Sequence, residues 1–334
     1  MPLTRSIGHM KATAVAHPIQ GMVKYHGMRD HDQRLPYHDS ISVCTAPSRS
    51  ITTVEFRPDR SEDVFIVEDE RLEGEAADRV AKVVDAAREL ADMAGQAVRL
   101  ESTSTFPTNV GLGSSSSGMA AAAVATAGAA DIELDLHRLS AIARLGSASA
   151  ARSVTGGFSI LPGGADDITC RSSRIESPLE DDLRVIAAIV DAYKETGDAH
   201  REAPESHMFD ARLAHVHEQL ATVRAGLASG SFNRTFACVE ADSISLAATT
   251  MTGPEGWIYW QPVTLEVFET VRHLREEDDI PVYFSTDTGA SVYVNTTEPH
   301  VKEVVDELER LDLHDIRIWQ VGGPAHLDDD QALF

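Results

Sequence analysis

The chain has 334 residues, 43% of them hydrophobic, with 53 Asp and Glu against 29 Lys and Arg and a formal charge of −24. Length and apolar content predict a globular protein of one large or two medium domains. So large an acidic excess excludes nucleic acid and acidic membranes as partners, because both need basic patches.

The acids are dispersed among apolar residues, and lysine occurs only at Lys11, Lys24, Lys82, Lys194 and Lys302. That composition is expected of a cytoplasmic protein kept soluble in molar salt, where charge repulsion is screened. Cys44, Cys170 and Cys238 lie far apart without metal-ligand spacing and read as buried small hydrophobes. No apolar run approaches the roughly 20 residues of a membrane helix. The opening MPLTRSIGHM lacks a signal peptide's apolar stretch. Gly8-His9-Met10 resembles a tag scar with Met10 as the native start, the alternative being an upstream genomic start.

In chain order, strand-like segments span 11–23, 41–57 and 64–67, rich in β-branched residues and punctuated by Pro and Gly. A helix follows with Val80, Val83, Val84, Ala87, Leu90 and Ala91 on one face, ending at Gly95. Next come a strand at 97–104, a loop from Phe106-Pro107, an Ala-rich helix near 115–130, and helical stretches near 135–145 and 147–155. The second half opens with an apolar strand, 182–190, patterned for burial on both faces. Phe209, Leu213, Val216, Leu220, Val223 and Leu227 mark the core stripe of a long helix. A helix at 262–275, a hairpin at 282–297, a helix at 298–311 and a strand at 315–321 complete an α+β chain. Two domains, 10–178 and 179–334, are expected.

The sharpest local feature runs from Phe106 to Gly118, FPTNVGLGSSSSG. A strand enters a Gly/Ser loop that opens directly into a helix. Gly111 and Gly113 let the backbone turn its amides inward. Ser114, Ser115, Ser116 and Ser117 add hydroxyls, and the helix N-terminus adds uncompensated N–H groups. The pattern suits a triphosphate but is neither a Walker loop nor a Rossmann turn. A plain Gly/Ser linker is the competing reading, disfavoured by the strand before and the helix after.

This segment resembles the phosphate loop of the small-molecule kinases that include galactokinase, homoserine kinase and mevalonate kinase. Three further segments narrow the resemblance to mevalonate diphosphate decarboxylases. Val23-Lys24-Tyr25-His26-Gly27-Met28-Arg29-Asp30 with Leu35-Pro36 is similar to their VIKYWGKRD…LP element. Ala143 to Ser153 with Gly156-Gly157-Phe158 is similar to ARRGSGSACRS…GGF, and Ser285-Thr286-Asp287-Thr288-Gly289-Ala290 to TFDAGPNA. The four motifs occur in order over residues 11–321.

The resemblance implies a two-domain GHMP-kinase fold: a ribosomal-protein-S5-like N-terminal domain, a ferredoxin-like C-terminal domain and an active-site cleft between them. It also implies ATP-dependent decarboxylation of a phosphorylated 3-hydroxy-3-methyl acid, with Mg2+ as companion of ATP and a homodimer as the usual assembly. Asp287 would orient or deprotonate the C3 hydroxyl, Arg152 would hold the C1 carboxylate, and Lys24 would take a phosphate role. Tyr25, Ser147 and Ser149 would line the substrate. Pro107, Gly111, Gly113, Ser114, Ser115, Ser116 and Gly118 would hold the nucleotide. Metal ligands stay unassigned, the Ser114–Ser116 hydroxyls being the only suggestion.

Two departures bear on the substrate. Met28 replaces the second lysine of KYWGK, and His26 replaces the tryptophan. In the diphosphate enzymes that lysine helps to hold the 5-diphosphate, so its loss favours mevalonate 5-phosphate, converted to isopentenyl phosphate, as in halophilic archaea. The alternatives are the diphosphate reaction, a mevalonate 3-kinase without decarboxylation, and an inactive ligand-binding descendant of the fold. Locally, Asp287-Thr288-Gly289 also reads as a hairpin turn or an aspartic-protease half-site, though a protease needs two such carboxylates. His31, His38, Asp39, His215 and His217 lack metal spacing, and Asp328-Asp329-Asp330 reads as a solvated tail.

Overall fold

The computed structural model describes residues 10–107, 112–191 and 201–334. Two large sheets organise them. The first has six strands in the order His326–Leu327, Lys11–Ala16, Ser50–Arg57, Ala97–Ser104, Val64–Val67 and Glu70–Arg71. The Ala-rich helix Ser114–Ala129 packs on Lys11–Ala16 and Ser50–Arg57, with Ala120 to Ala123 buried. Methyl side chains permit that close approach. A Cβ on Gly128 would lie 3.1 Å from the Ala12 Cβ and 2.7 Å from Leu327. Helices Gly74–Leu90 and Leu136–Gly146 complete this core, the first burying Val80, Val83, Val84 and Ala87 of its expected stripe. Leu90 instead stands exposed.

The second sheet joins strands from both halves of the chain. Its order is Ser173–Ile175, Phe158–Leu161, Ser40–Ala46, Asp315–Val321, Leu183–Ile189, Val292–Thr297 and Val282–Ser285, with Ile19–Val23 also paired to Ser40–Ala46. The seam is short, Gln320 opposite Ala46 and Val321 opposite Thr45. Leu183–Ile189 is covered on both sides, as its apolar run predicts. Leu183, Val185, Ala187 and Ile189 face helices Phe209–Ser229 and Phe232–Met251, while Ile186 and Ala188 face Pro262–Glu276 and Val301–Leu308.

Three sequence expectations are corrected. The helix Phe232–Met251 was not foreseen, because Thr, Asp and Ser interrupt its apolar face. The helical stretch at 147–155 is helical only over Ala150–Thr155, Ser147 being extended. The Asp328–Asp330 run is a docked strap rather than a solvated tail. Asp328 N–H donates to Thr13 O (2.8 Å), Thr13 N–H donates to Asp329 Oδ1 (2.7 Å), and Leu333 N–H donates to Thr53 Oγ1 (3.0 Å).

Candidate active site

Between the sheets lies a cleft of about 540 Å3 that collects all four sequence motifs. Lys24, Tyr25 and Met28 enter from the segment leaving Ile19–Val23, and Ser147, Ser149 and Arg152 from the start of Ala150–Thr155. Asp287 and Thr288 come from the turn after Val282–Ser285, and Gly113, Ser115 and Ser116 from the N-terminus of Ser114–Ala129. Gly21 lies where the acid meets the lysine. A Cβ there would sit 2.8 Å from Asp287 Oδ1 and 2.7 Å from Lys24 Cγ, so only glycine admits both side chains. A glycine inside a strand is the usual mark of such an approach, and it is the only signal of this contact that the strand itself carries.

Lys24 is buried within a charge network built largely by the unforeseen helix. Its backbone N–H donates to Asp242 Oδ2 (3.0 Å), and its Nζ reaches Asp242 Oδ2 (3.4 Å) and Ser243 Oγ (3.0 Å). Arg212 Nη2 donates to Asp242 Oδ1 (3.0 Å) and to Lys24 O (2.7 Å). Burial alone would raise the Asp242 carboxyl, but Arg212 and Lys24 together hold it below the usual carboxylate range. Burial lowers the Lys24 ammonium, and its attraction to Asp242 and Asp287 offsets this only in part. Asp242 is shared between two cations, so neither receives its full charge. Ser243 extends the network to the Asp287 turn by accepting from Thr286 N–H at 3.1 Å.

Arg152 is also buried, with its guanidinium donating to Ser42 Oγ (2.9 Å) and Ser40 Oγ and standing 5.5 Å from the Tyr25 ring centroid. Burial lowers its proton affinity against the pull of Tyr25 and Asp287. Those serines satisfy one side of the fork and leave the rest for a ligand carboxylate. Ser147 and Ser149 bond each other at 2.9 Å beside it.

At the nucleotide end, Gly113 has φ +77, and a Cβ there would lie 3.0 Å from Ile19 O. No side chain caps the helix that begins at Ser114, and Ser116 N–H closes on Gly113 O at 3.0 Å, so the Ser114 and Ser115 N–H groups carry no side-chain cap at this end of the cleft. Ser116 Oγ donates inward to Gly113 O at 2.6 Å. Of the residues expected to hold the nucleotide, Gly113, Ser115 and Ser116 line the cleft, whereas Ser114, Gly118 and Pro107 do not. Gly111 lies outside the described residues. Among the described residues no group of three His, Cys, Asp or Glu is placed to hold a metal.

The outer part of the cleft is basic in a way the motifs did not announce. Arg34, Arg79, Lys82 and Arg201 line it with His31, alongside Glu75 and Asp78. Arg34 Nε donates to Leu145 O (3.0 Å) and Arg79 Nε to Gly146 O (3.1 Å), two successive carbonyls next to Ser147. The remaining sequence candidates stay outside the cleft. His38 Nδ1 is 2.7 Å from Asp39 O, Asp39 accepts from Gly163 N–H, and His215 and His217 sit on Phe209–Ser229.

Comparison with known proteins bears on this arrangement. A family described as Diphosphomevalonate decarboxylase-like N-terminal domain matches residues 16–172. A phosphomevalonate decarboxylase of Haloferax volcanii is 60% identical over 97% of this chain and 100% of its own. The mevalonate diphosphate decarboxylase of Staphylococcus aureus superposes with a TM-score of 0.89 at 27% identity, over 95% of this chain and 98% of that one. A structure described as MDDEF in complex with MVAPP, AMPPCP and magnesium gives 0.89 at 29% identity, over 96% and 99%. The chain is therefore an enzyme of the mevalonate-type decarboxylase family, with the α+β GHMP-kinase fold.

Proposed function

We propose that the enzyme uses ATP to phosphorylate the C3 hydroxyl of mevalonate 5-phosphate and releases CO2, phosphate, ADP and isopentenyl phosphate. The observation that carries this reading is one cleft in which Asp287 stands beside Lys24, within the electrostatic reach of Arg152, with a helix N-terminus and Ser115 on the same cleft wall. The 60% identity to a phosphomevalonate decarboxylase supports the choice of substrate, as does apolar Met28 at the cleft wall.

Arg152 anchors the C1 carboxylate with Ser147 and Ser149 beside it, which brings the C3 hydroxyl to Asp287. Asp287 orients that hydroxyl and accepts its proton as the oxygen gains the γ-phosphoryl group of ATP. The phosphate then leaves with the C3–O electron pair and takes the proton from Asp287, which restores the carboxylate beside the positive charge developing at C3. The C1–C2 pair becomes the C2–C3 double bond, and CO2 departs. Lys24 stays fixed by Asp242 and Ser243 and offsets the anionic charge gathered in the cleft.

The residues fit a magnesium nucleotide. Mg2+ prefers phosphate, hydroxyl and water oxygens, which the Ser115 hydroxyl and the triphosphate supply without an acidic cluster. Bound there, it would neutralise charge on the phosphates, and the related structure with AMPPCP and magnesium supports its presence. The low lysine content supports a salt-rich cytoplasm, and the family habit of pairing supports a homodimer.

The test is CO2 release with ATP in molar KCl from mevalonate 5-phosphate and from its 5-diphosphate analogue. Release from the monophosphate, reduced at least ~1000-fold in Asp287→Asn, is expected for loss of a group acting directly on the reacting hydroxyl. Release from the diphosphate alone would overturn the substrate. ADP without CO2 would make the protein a kinase.

A further inference from the structure

The hairpin Met28–Asp30 with Leu35–Pro36 carries a residue that breaks a local rule. Arg34 has φ +50, a left-handed conformation that side chains with a Cβ adopt at a cost. The surroundings enforce it. Asp30 Oδ1 accepts from Gln33 N–H (2.8 Å), and fully buried Arg144 donates through Nε to Gln33 O (3.0 Å). The next residue, Leu35, is buried opposite Asp30. The turn is thus braced from both sides, and the Arg34 side chain is directed to the cleft wall, where its Nε is fixed on Leu145 O.

Arg79 is fixed in the same manner on the following carbonyl, so two guanidinium groups stand side by side. Each spends its Nε on the backbone and keeps its pair of terminal nitrogens for other partners. Among the described residues neither makes an ion pair with a carboxylate, in a chain with 53 acids. Burial lowers the proton affinity of Arg79, and the charge of Arg34 lowers it further. Two neighbouring cations, neither ion-paired and with only Glu75 acting on Arg79 from the same cleft wall, one of them on a strained backbone, form a receptor for an anion. The anchoring carbonyls immediately precede Ser147, so this receptor adjoins the Arg152 subsite rather than standing apart from it.

We propose that Arg34 is a specificity-determining residue that, with Arg79, grips the single 5-phosphate of the substrate, a reading that rests on the proposed function of this cleft. Met28, on the other strand of the same hairpin, brings only an apolar wall. The hairpin therefore presents one cation at position 34 and none at position 28, which matches a phosphate ester with one phosphorus centre.

Arg34→Gly and Arg34→Asn separate this role from a structural one, because both residues accept a positive φ. Steady-state kinetics and thermal melts in molar KCl provide the measurements. We expect the KM for mevalonate 5-phosphate to rise at least ~10-fold, from loss of charge-assisted hydrogen bonds. The expected KM for ATP stays within ~2-fold, kcat falls by less than KM rises, and the Tm of Arg34→Gly is not lowered. An unchanged KM for mevalonate 5-phosphate in folded Arg34→Gly would overturn the assignment. So would equal rises for ATP and substrate, which would make Arg34 a general phosphate ligand. Wild-type enzyme inactive on the monophosphate would instead sink the underlying functional reading and the Arg34 proposal with it.

Discussion

Asp242 is the residue on which the electrostatics of the site turn. It touches Lys24 and Arg212 at once and is wholly excluded from solvent. Replacing it by Asn removes one charge and strands two cations, a class of change that costs about 3–5 kcal/mol. Lys24 would then lose the main attraction opposing its burial, and its proton affinity would fall further. The alkaline limb of the kcat/KM profile of Asp242→Asn should therefore move to lower pH. A profile superimposable on wild type would show that the Lys24 charge is not set by Asp242. The acid side follows from the depressed Asp242 carboxyl. Its contribution to stability is complete above its ordinary value of 3.8 and is lost as pH falls from there through the folded-state value. Wild type should lose that contribution in acid melts below pH 3.8, and Asp242→Asn should lack this component of the slope. Lys24, Arg152 and Asp287 were readable from local motifs. Asp242 was not, because its bond to Lys24 spans 218 residues and nothing near it in the chain signals a site.

Elements were legible where one face is purely apolar. The strand Leu183–Ile189 and the helix Phe209–Ser229 fall within two residues of their expected positions, since continuous or strictly spaced apolar residues leave little choice of register. Helix Phe232–Met251 uses part of its inward face for Asp242, Ser243 and Thr250, and these buried polar residues erased its periodic signal. The C-terminal strap was hidden for a different reason. Its polar run satisfies backbone groups of Lys11–Ala16, and its anchor is aromatic. The Phe334 ring lies 4.0 Å from Arg99 Cζ and 4.6 Å from Lys11 Nζ, and Phe334 O accepts from Lys11 Nζ. Phe334→Ala should cost about 1–2 kcal/mol from two cation–π contacts. At this chain length that lowers Tm by ~1–3 °C, with kcat at 25 °C unchanged because the strap contributes nothing to the cleft. A Tm equal to wild type would mean that the strap adds no stability.

At the scale of the whole molecule, two kinds of electrostatics coexist and should respond differently to salt. The net charge of −24 is spread over a surface where acids outnumber bases, and most ion pairs there have at least one exposed partner. Repulsion among such charges reaches about 30 Å at 0.01 M salt but only about 3 Å at 1 M. Dilution from molar KCl to low salt should therefore lower Tm progressively. NaCl at equal ionic strength should restore it, and an uncharged osmolyte should not reproduce the same ionic-strength dependence. A Tm independent of salt would contradict the reading of the composition as an adaptation to concentrated salt. The Lys24–Asp242–Arg212 network is excluded from solvent and feels the counter-ion atmosphere far less. Over the range in which the protein stays folded, the alkaline limb assigned to Lys24 should keep its position while Tm falls. If the limb moved in step with Tm, the network would be exchanging with solvent, and the burial that sets its charge would not hold in solution.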